Sequence, residues 1–168
     1  MENKRIMVIG SPGAGKSTFC YKLKEITGLP LYHLDMIYHK ADKTTVSKQE
    51  FDRALDNILA ENQWIIDGNY QRTMEKRLRS CDTVFLLDYP LELCLSSIES
   101  RVGKKRSDMP WVETELDEEF RQYVVDFPKS TLPLVYNMLE KVKVKKVVIF
   151  TSRKQADDYL QEMKKMGK

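Results

Sequence analysis

Short apolar runs alternate with longer stretches of helical spacing along this chain. Strands are predicted at Arg5–Ile9, Leu31–Leu34, Trp64–Ile66, Val84–Leu87 and Val147–Phe150. Each is brief, rich in Val, Ile, Leu or aromatic residues, and apolar at consecutive positions. That pattern belongs to strands covered on both faces, as in a parallel sheet between helix layers. Phe51, Leu55, Ile58 and Leu59 fall on one face of a helix expected to open near Ser47, with Ser47 and Glu50 at capping-box spacing. Leu91–Val102, Leu116–Tyr123 and Ala156–Met163 also carry helical spacing. The repeated strand–helix order predicts a doubly wound α/β fold, a three-layer α/β/α arrangement around a five-stranded parallel sheet with right-handed crossovers. The polar, basic stretch Gly103–Pro110 breaks this rhythm and reads as a surface loop or lid.

Length and composition narrow the class. A chain of 168 residues suits a single domain over positions 1–168, with a lid segment at about 103–125 inserted into it. Hydrophobic residues at 42% and charged residues at 32% exclude intrinsic disorder. A formal charge of +3 is too small for an obligate DNA or membrane binder. Only four apolar residues, Ile6–Ile9, precede Gly10, so neither a signal peptide nor a membrane span is expected. Cys20, Cys81 and Cys94 lie far apart with no CxxC pair, which points to free thiols and a cytoplasmic protein.

Gly10-Ser11-Pro12-Gly13-Ala14-Gly15-Lys16-Ser17 matches G-x-x-x-x-G-K-[ST] at every fixed position, and Thr18 continues into a predicted helix. The motif follows a strand, as its chemistry requires. Glycines let the backbone wrap close to phosphate oxygens so that successive N–H groups point inward, and the helix adds its positive end. Lys16 is placed to reach the β- and γ-phosphates and the Ser17 hydroxyl to hold Mg²⁺. ATP and Mg²⁺ are therefore the expected cofactors. Asp67 ends the third strand, where a Walker-B-type carboxylate holds the metal; the bland reading is a turn aspartate before Gly68.

Trp64-Ile65-Ile66-Asp67-Gly68-Asn69-Tyr70-Gln71-Arg72-Thr73 resembles the strand and Asp-Gly-aromatic-Pro-Arg-Thr segment of adenylate-kinase-like nucleoside monophosphate kinases. Asp82–Pro90 is similar to their fourth strand with its Asp-x-Pro ending, and Asp117–Arg121 to the helix after their lid. Leu31-Tyr32-His33-Leu34-Asp35 together with Asp67-Gly68-Asn69-Tyr70 more narrowly resembles the DNA topology modulation, or FlaR-related, proteins. The likeness implies an adenylate-kinase-like P-loop fold and kinase chemistry. It also implies a helix-cap role for Asp88, the more tempting Walker-B carboxylate by pattern alone.

This chain departs from the family at the acceptor side. Arg72 comes four residues after Gly68 instead of three, only Arg101 remains of the two phosphate-binding arginines that adenylate kinases carry in the helix after Pro90, the position of the first being Ser97, and the lid is reduced to Lys104-Lys105-Arg106. Arg72 is expected to hold an anionic group of the acceptor, since a guanidinium fork binds carboxylate or phosphate in a bidentate way. Arg101, Arg106 and Arg121 are lid-side candidates for the transferring phosphoryl, against a solvated basic face. Asp35, expected at the end of the second strand, either caps it or contacts an acceptor hydroxyl, as in the P-loop kinases of shikimate and gluconate. His33 is expected to be packed, and His39 to lie in a loop. Thr151-Ser152-Arg153 falls where related kinases wrap the adenine, and Trp64 and Trp111 are expected in packing.

Two readings follow. The first is a phosphotransferase moving the γ-phosphoryl of MgATP to a nucleoside monophosphate or a hydroxylated small molecule. The second is a nucleotide-dependent regulator affecting DNA topology with weak or no kinase activity, opposed by the near-neutral charge. Expected partners are ATP and a small acceptor, without a membrane and with direct DNA contact disfavoured. A monomer and a homodimer are both compatible with the sequence.

Overall fold

A computed structural model describes residues 4–167. Five parallel strands, β1 (Arg5–Gly10), β2 (Leu31–His33), β3 (Trp64–Asp67), β4 (Thr83–Leu87) and β5 (Lys146–Phe150), form one sheet in the order β2-β3-β1-β4-β5. The helices are α1 (Lys16–Thr27), α2 (Leu34–Tyr38), α3 (Lys48–Leu59), α4 (Gln71–Ser80), α5 (Leu91–Ser100), α6 (Glu118–Ser130), α7 (Leu132–Lys141) and α8 (Arg153–Met166). The α/β/α architecture and parallel sheet agree with the reading of the sequence.

The consecutive apolar pattern has the expected cause. Ile6 and Val8 of β1 enter a core layer with Phe19 and Leu23 of α1 and Leu160 of α8. Met7 and Ile9 enter the opposite layer with Phe51 and Leu55 of α3 and Met74 and Leu78 of α4. Alternate strand residues thus serve different helix layers, and both kinds must be apolar. The edge strand β5 departs from this: Val147 and Ile149 are 38% and 42% exposed, so only one of its faces is covered.

Helix ends follow local chemistry. Ser47 Oγ accepts from the Glu50 backbone N–H at 3.1 Å and opens α3 as predicted. Asp117 caps α6 and Ser152 caps α8 in the same way. Two local expectations are corrected. The second strand stops at His33 because Leu34 turns fully into the core and begins α2, so Asp35 lies in the first turn of a helix. Asp88 is no cap: Pro90 holds that position without a side-chain bond, and the Asp88 carboxylate accepts from the Tyr136 hydroxyl at 2.7 Å, fastening β4 to α7.

Sheet order positions the site. Central β1 lies between β3 and β4, with Val8 beside Asp67 and Gly10 beside Leu87. The loop after β1 and the end of β3 therefore open side by side at the carboxyl edge, the usual place for ligands in doubly wound sheets. Among the described residues, no helix is long and apolar enough to cross a membrane.

Candidate active site

Two glycines make the phosphate loop possible. Gly10 has φ +147° and a Cβ there would stand 2.3 Å from the Leu87 carbonyl oxygen; Gly13 has φ +81° and its Cβ would stand 2.5 Å from that of Cys94. No side chain fits either place. Ser11, Pro12, Gly13 and Ala14 are buried beneath the turn. Gly15, at φ 88°, leads into α1 with no side-chain cap and no acidic residue in the first turn. That end of α1 is left free to receive an anion.

A cleft of about 710 Å³ opens over this loop. Lys16, Ser17 and Thr18 line one wall, Asp35, Asp67 and Asn69–Gln71 another, and Arg101, Arg106 and Asp108 the lid side. The Lys16 ammonium folds back on the Gly10 and Ser11 carbonyl oxygens at 3.2 Å each. Desolvation pushes its pKa below the ordinary lysine value, while Asp67 and Asp35 pull it upward.

Asp67 ends β3 with 7% exposure, and its Oδ2 lies 3.1 Å from Ser17 Oγ. These are two hard oxygen donors at the phosphate end of the cleft, a set that suits Mg²⁺, which retains waters and uses one or two protein ligands beside the phosphates. Among the described residues, no group of three or more His, Cys, Asp or Glu is arranged to cage a metal. His33 packs edge-on against Tyr21 as expected, but its Nδ1 also lies 2.7 Å from Asp67 Oδ2. The contact follows from the pairing of His33 with Asp67 in the β2–β3 register, which the sequence does not display.

The Asp-Gly-Asn-Tyr segment joins the two sides of the cleft. Asn69 accepts from the Gly10 N–H at 3.1 Å and donates to the Gly10 carbonyl at 2.8 Å, clasping the phosphate loop. Tyr70 donates to Asp35 Oδ1 at 2.6 Å, and burial followed by this carboxylate holds its hydroxyl protonated far above the ordinary tyrosine range. Fully buried Arg77 donates to the Gly68 carbonyl at 2.8 Å, to that of Tyr70 at 3.0 Å and to that of Asn69. Desolvation pulls its pKa down to about 10.

The other arginines divide. Arg101 stands in the cleft, 5.8 Å from the Phe120 ring, with its pKa lowered by burial and by nearby Arg106. Arg106 turns inward onto Asp108, while Arg121 is absent from the cleft lining. Arg153 donates to Ser97 Oγ at 2.7 Å, bringing a guanidinium to the place where the sequence lacks one. Arg72 is corrected: it forks onto Asp52 at 2.8 and 3.1 Å, about half exposed, and does not line the cleft. The extra residue before it turns α4 so that Arg72 faces α3.

Sequence reasoning missed Asn69, Tyr70, Arg77 and Asp108 as site residues. Asn69 and Tyr70 lay inside a box already quoted, whereas Arg77 and Asp108 carried no motif. Trp111, expected in packing, sets its ring against His39 at 5.1 Å between centroids and so joins the lid to the loop after α2.

The chain is similar to the adenylate kinase of Thermotoga petrophila, with 30% identity over 88 residues, covering 51% of this chain and 39% of that enzyme. It is also similar to the adenylate kinase of Thermosipho melanesiensis, with 29% identity over 103 residues, covering 60% of this chain and 47% of that enzyme. The match thus spans less than half the length of either relative. Among solved structures it superposes on shikimate kinase from Acinetobacter baumannii in complex with shikimate at TM-score 0.62 and 18% identity, over 98% of this chain and 93% of that one. A gluconokinase from Sinorhizobium meliloti 1021 superposes at TM-score 0.53 and 13% identity, over 98% and 89%. No protein-family model matches the chain. Together these likenesses give a P-loop kinase-like fold.

Proposed function

We propose that this chain is a phosphotransferase that moves the γ-phosphoryl of MgATP to a hydroxyl group of a small acceptor. The observation that carries the reading is a second carboxylate in the phosphate-loop cleft: Asp35 lines the same cavity as Lys16 and is oriented by the Tyr70 hydroxyl. A carboxylate fixed by one oxygen keeps the other for an acceptor O–H, whose proton it accepts as the oxygen attacks phosphorus. Lys16, Arg101 and Arg106 are placed to meet the transferring phosphoryl group, and Lys105 and Arg153 line the same cleft. Ser17 and Asp67 would hold Mg²⁺, whose charge neutralises the β- and γ-oxygens when bound.

The acceptor class follows from what the cleft lacks. With Arg72 paired to Asp52 outside the cleft, the arginine expected to hold an acceptor phosphate is turned away from it. A hydroxylated acceptor fits Asp35 better. The His33-Leu34-Asp35 and Asp67–Tyr70 boxes, whose sequence resemblance is the ground for grouping the chain with the DNA topology modulation proteins, are joined by the hydrogen bond of Tyr70 to Asp35. A role on DNA is less favoured, because Arg106 turns into the cleft and leaves Lys104 and Lys105 as a weak exposed pair.

The test is ADP release from MgATP against a panel of nucleoside monophosphates, nucleosides and hydroxy acids, with Lys16→Ala as the blank. A hydroxylated non-phosphorylated compound should raise the rate. Stimulation by a monophosphate alone would overturn the acceptor class, and a flat panel with intact ATP binding would favour the regulatory reading.

A further inference from the structure

The loop between α5 and α6 brings an anion as well as cations to the phosphate end of the cleft. Ser107 Oγ lies 2.5 Å from the Tyr21 hydroxyl on α1, and the next residue, Asp108, accepts from Ser17 Oγ at 2.8 Å. The same Ser17 oxygen lies 3.1 Å from Asp67 Oδ2. A serine hydroxyl has one hydrogen, so it serves one of these carboxylates at a time. Arg106 reaches Asp108 through Nε at 3.1 Å and Nη2 at 3.4 Å. Arg106 Nη1 and Arg101 Nε are buried with no partner among the described residues. Asp108 is 14% exposed and Arg106 19%, so the pair is well shielded from solvent.

The partners of Asp108 are those that a triphosphate and its metal would use: the phosphate-loop hydroxyl, and an arginine of the lid. We infer that Asp108 is an internal stand-in for the nucleotide's phosphate, closing the lid onto Ser17 and leaving when MgATP binds. This rests on reading the cleft as an ATP site. Arg106 exchanges the carboxylate for phosphate oxygens, and Ser17 Oγ is released toward the metal position. Until then the carboxylate both occupies that position and repels the incoming triphosphate. The lid keeps a second attachment meanwhile, because Trp111 against His39 lies outside this exchange.

A site that is open for only a fraction of the time binds with an apparent Kd raised by the inverse of that fraction. If Asp108 is seated about nine-tenths of the time, removing it tightens MgATP binding about tenfold. The test is isothermal titration of MgATP into the wild-type protein, Asp108→Asn, Asp108→Ser and Glu115→Gln. Glu115 is an exposed carboxylate of the same segment, so its variant loses the same charge without touching Ser17. Both Asp108 variants should bind about three- to tenfold more tightly than wild type, with Glu115→Gln within twofold of it. Unchanged or weaker binding by the Asp108 variants would overturn the inference, weaker binding marking Asp108 as a ligand of the metal–nucleotide complex. Equal tightening by Glu115→Gln would reduce it to a general charge effect and also overturn it. Wild-type protein that fails to bind MgATP would remove the ATP site and this inference together, whereas normal wild-type binding with untightened variants removes this inference alone.

Discussion

Tyr70 Oη and Asp35 Oδ1 stand 2.6 Å apart, joining residues 35 positions apart in the chain. Tyr70 makes this bond from a left-handed backbone, φ 37° and ψ 77°, a conformation that costs a bulky residue on the order of 1–3 kcal/mol. The bonds of Arg77 to three carbonyls of the Gly68–Tyr70 turn hold it there. Tyr70→Phe keeps the ring contacts with Tyr38 and Phe51 and removes only the donor. A hydrogen bond to a charged group contributes about 1.5–3 kcal/mol. Acceptor-dependent turnover should therefore fall roughly ten- to a hundredfold, with MgATP affinity within twofold of wild type. Steady-state kinetics on the acceptor found in the ADP-release panel reads both, and unchanged turnover would remove Asp35 from the reaction.

Two arginines of α4 should differ sharply in their effect on stability. Arg72 and Asp52 form an ion pair about half exposed on each side, and solvent and salt screen such pairs so that they add little to stability. Arg77 is fully buried, and its loss leaves the carbonyls of Gly68, Asn69 and Tyr70 without this donor. Arg77→Met should cost about 3 kcal/mol or more, whereas Arg72→Ala should leave stability close to wild type. Urea unfolding of the two variants side by side checks this. Equal midpoints would mean that the turn is held by something other than Arg77.

The sheet and the phosphate loop were legible because they are local or periodic. Four consecutive apolar residues of β1, Ile6–Ile9, announce burial on both faces, and the loop motif carries its own glycines. Asp67 was legible because it ends such a strand. Arg72 misled because an Asp-Gly followed by arginine suggests a cleft residue, while one inserted position rotates it on a helix toward Asp52. Arg77, His33 and Asp108 were not legible. Their roles depend on where a turn, a neighbouring strand and a lid come to rest, and none of those distances is encoded by spacing along the chain.

Asp88 and Tyr136 make a pH-dependent fastening between β4 and α7. Burial and then the Asp88 carboxylate push the Tyr136 hydroxyl up to about 12 from its ordinary value of 10.0. Between those values the folded protein keeps a proton that the unfolded chain has lost, so unfolding releases it and rising pH favours unfolding. The contribution is complete below about pH 10 and fades as pH rises through about 12. Tyr136→Phe should be less stable than wild type by about 1 kcal/mol at neutral pH. The difference between the two proteins should stay level up to pH 9.5 and shrink at pH 10.5 and above. A difference that grew with pH would contradict a neutral tyrosine donor.

Lys16 tests the nucleotide half directly. Its ammonium makes only two long bonds, at 3.2 Å, to loop carbonyls, and burial weakens its charged form. Its truncation should therefore leave the unliganded protein folded, with a melting temperature within a few degrees of wild type. Binding is another matter, because no other cation lies within the loop motif itself. At a MgATP concentration about 100 times Kd, a bound nucleotide stabilises the folded state by about 2.7 kcal/mol. For a chain of this size that is a rise of roughly 5–10 °C. Wild type should show such a shift in a thermal melt and Lys16→Ala should show less than about 1 °C. A variant that keeps the full shift would mean that the nucleotide is held elsewhere, and the roles given to Ser17, Asp67 and the lid arginines would fall with that of Lys16.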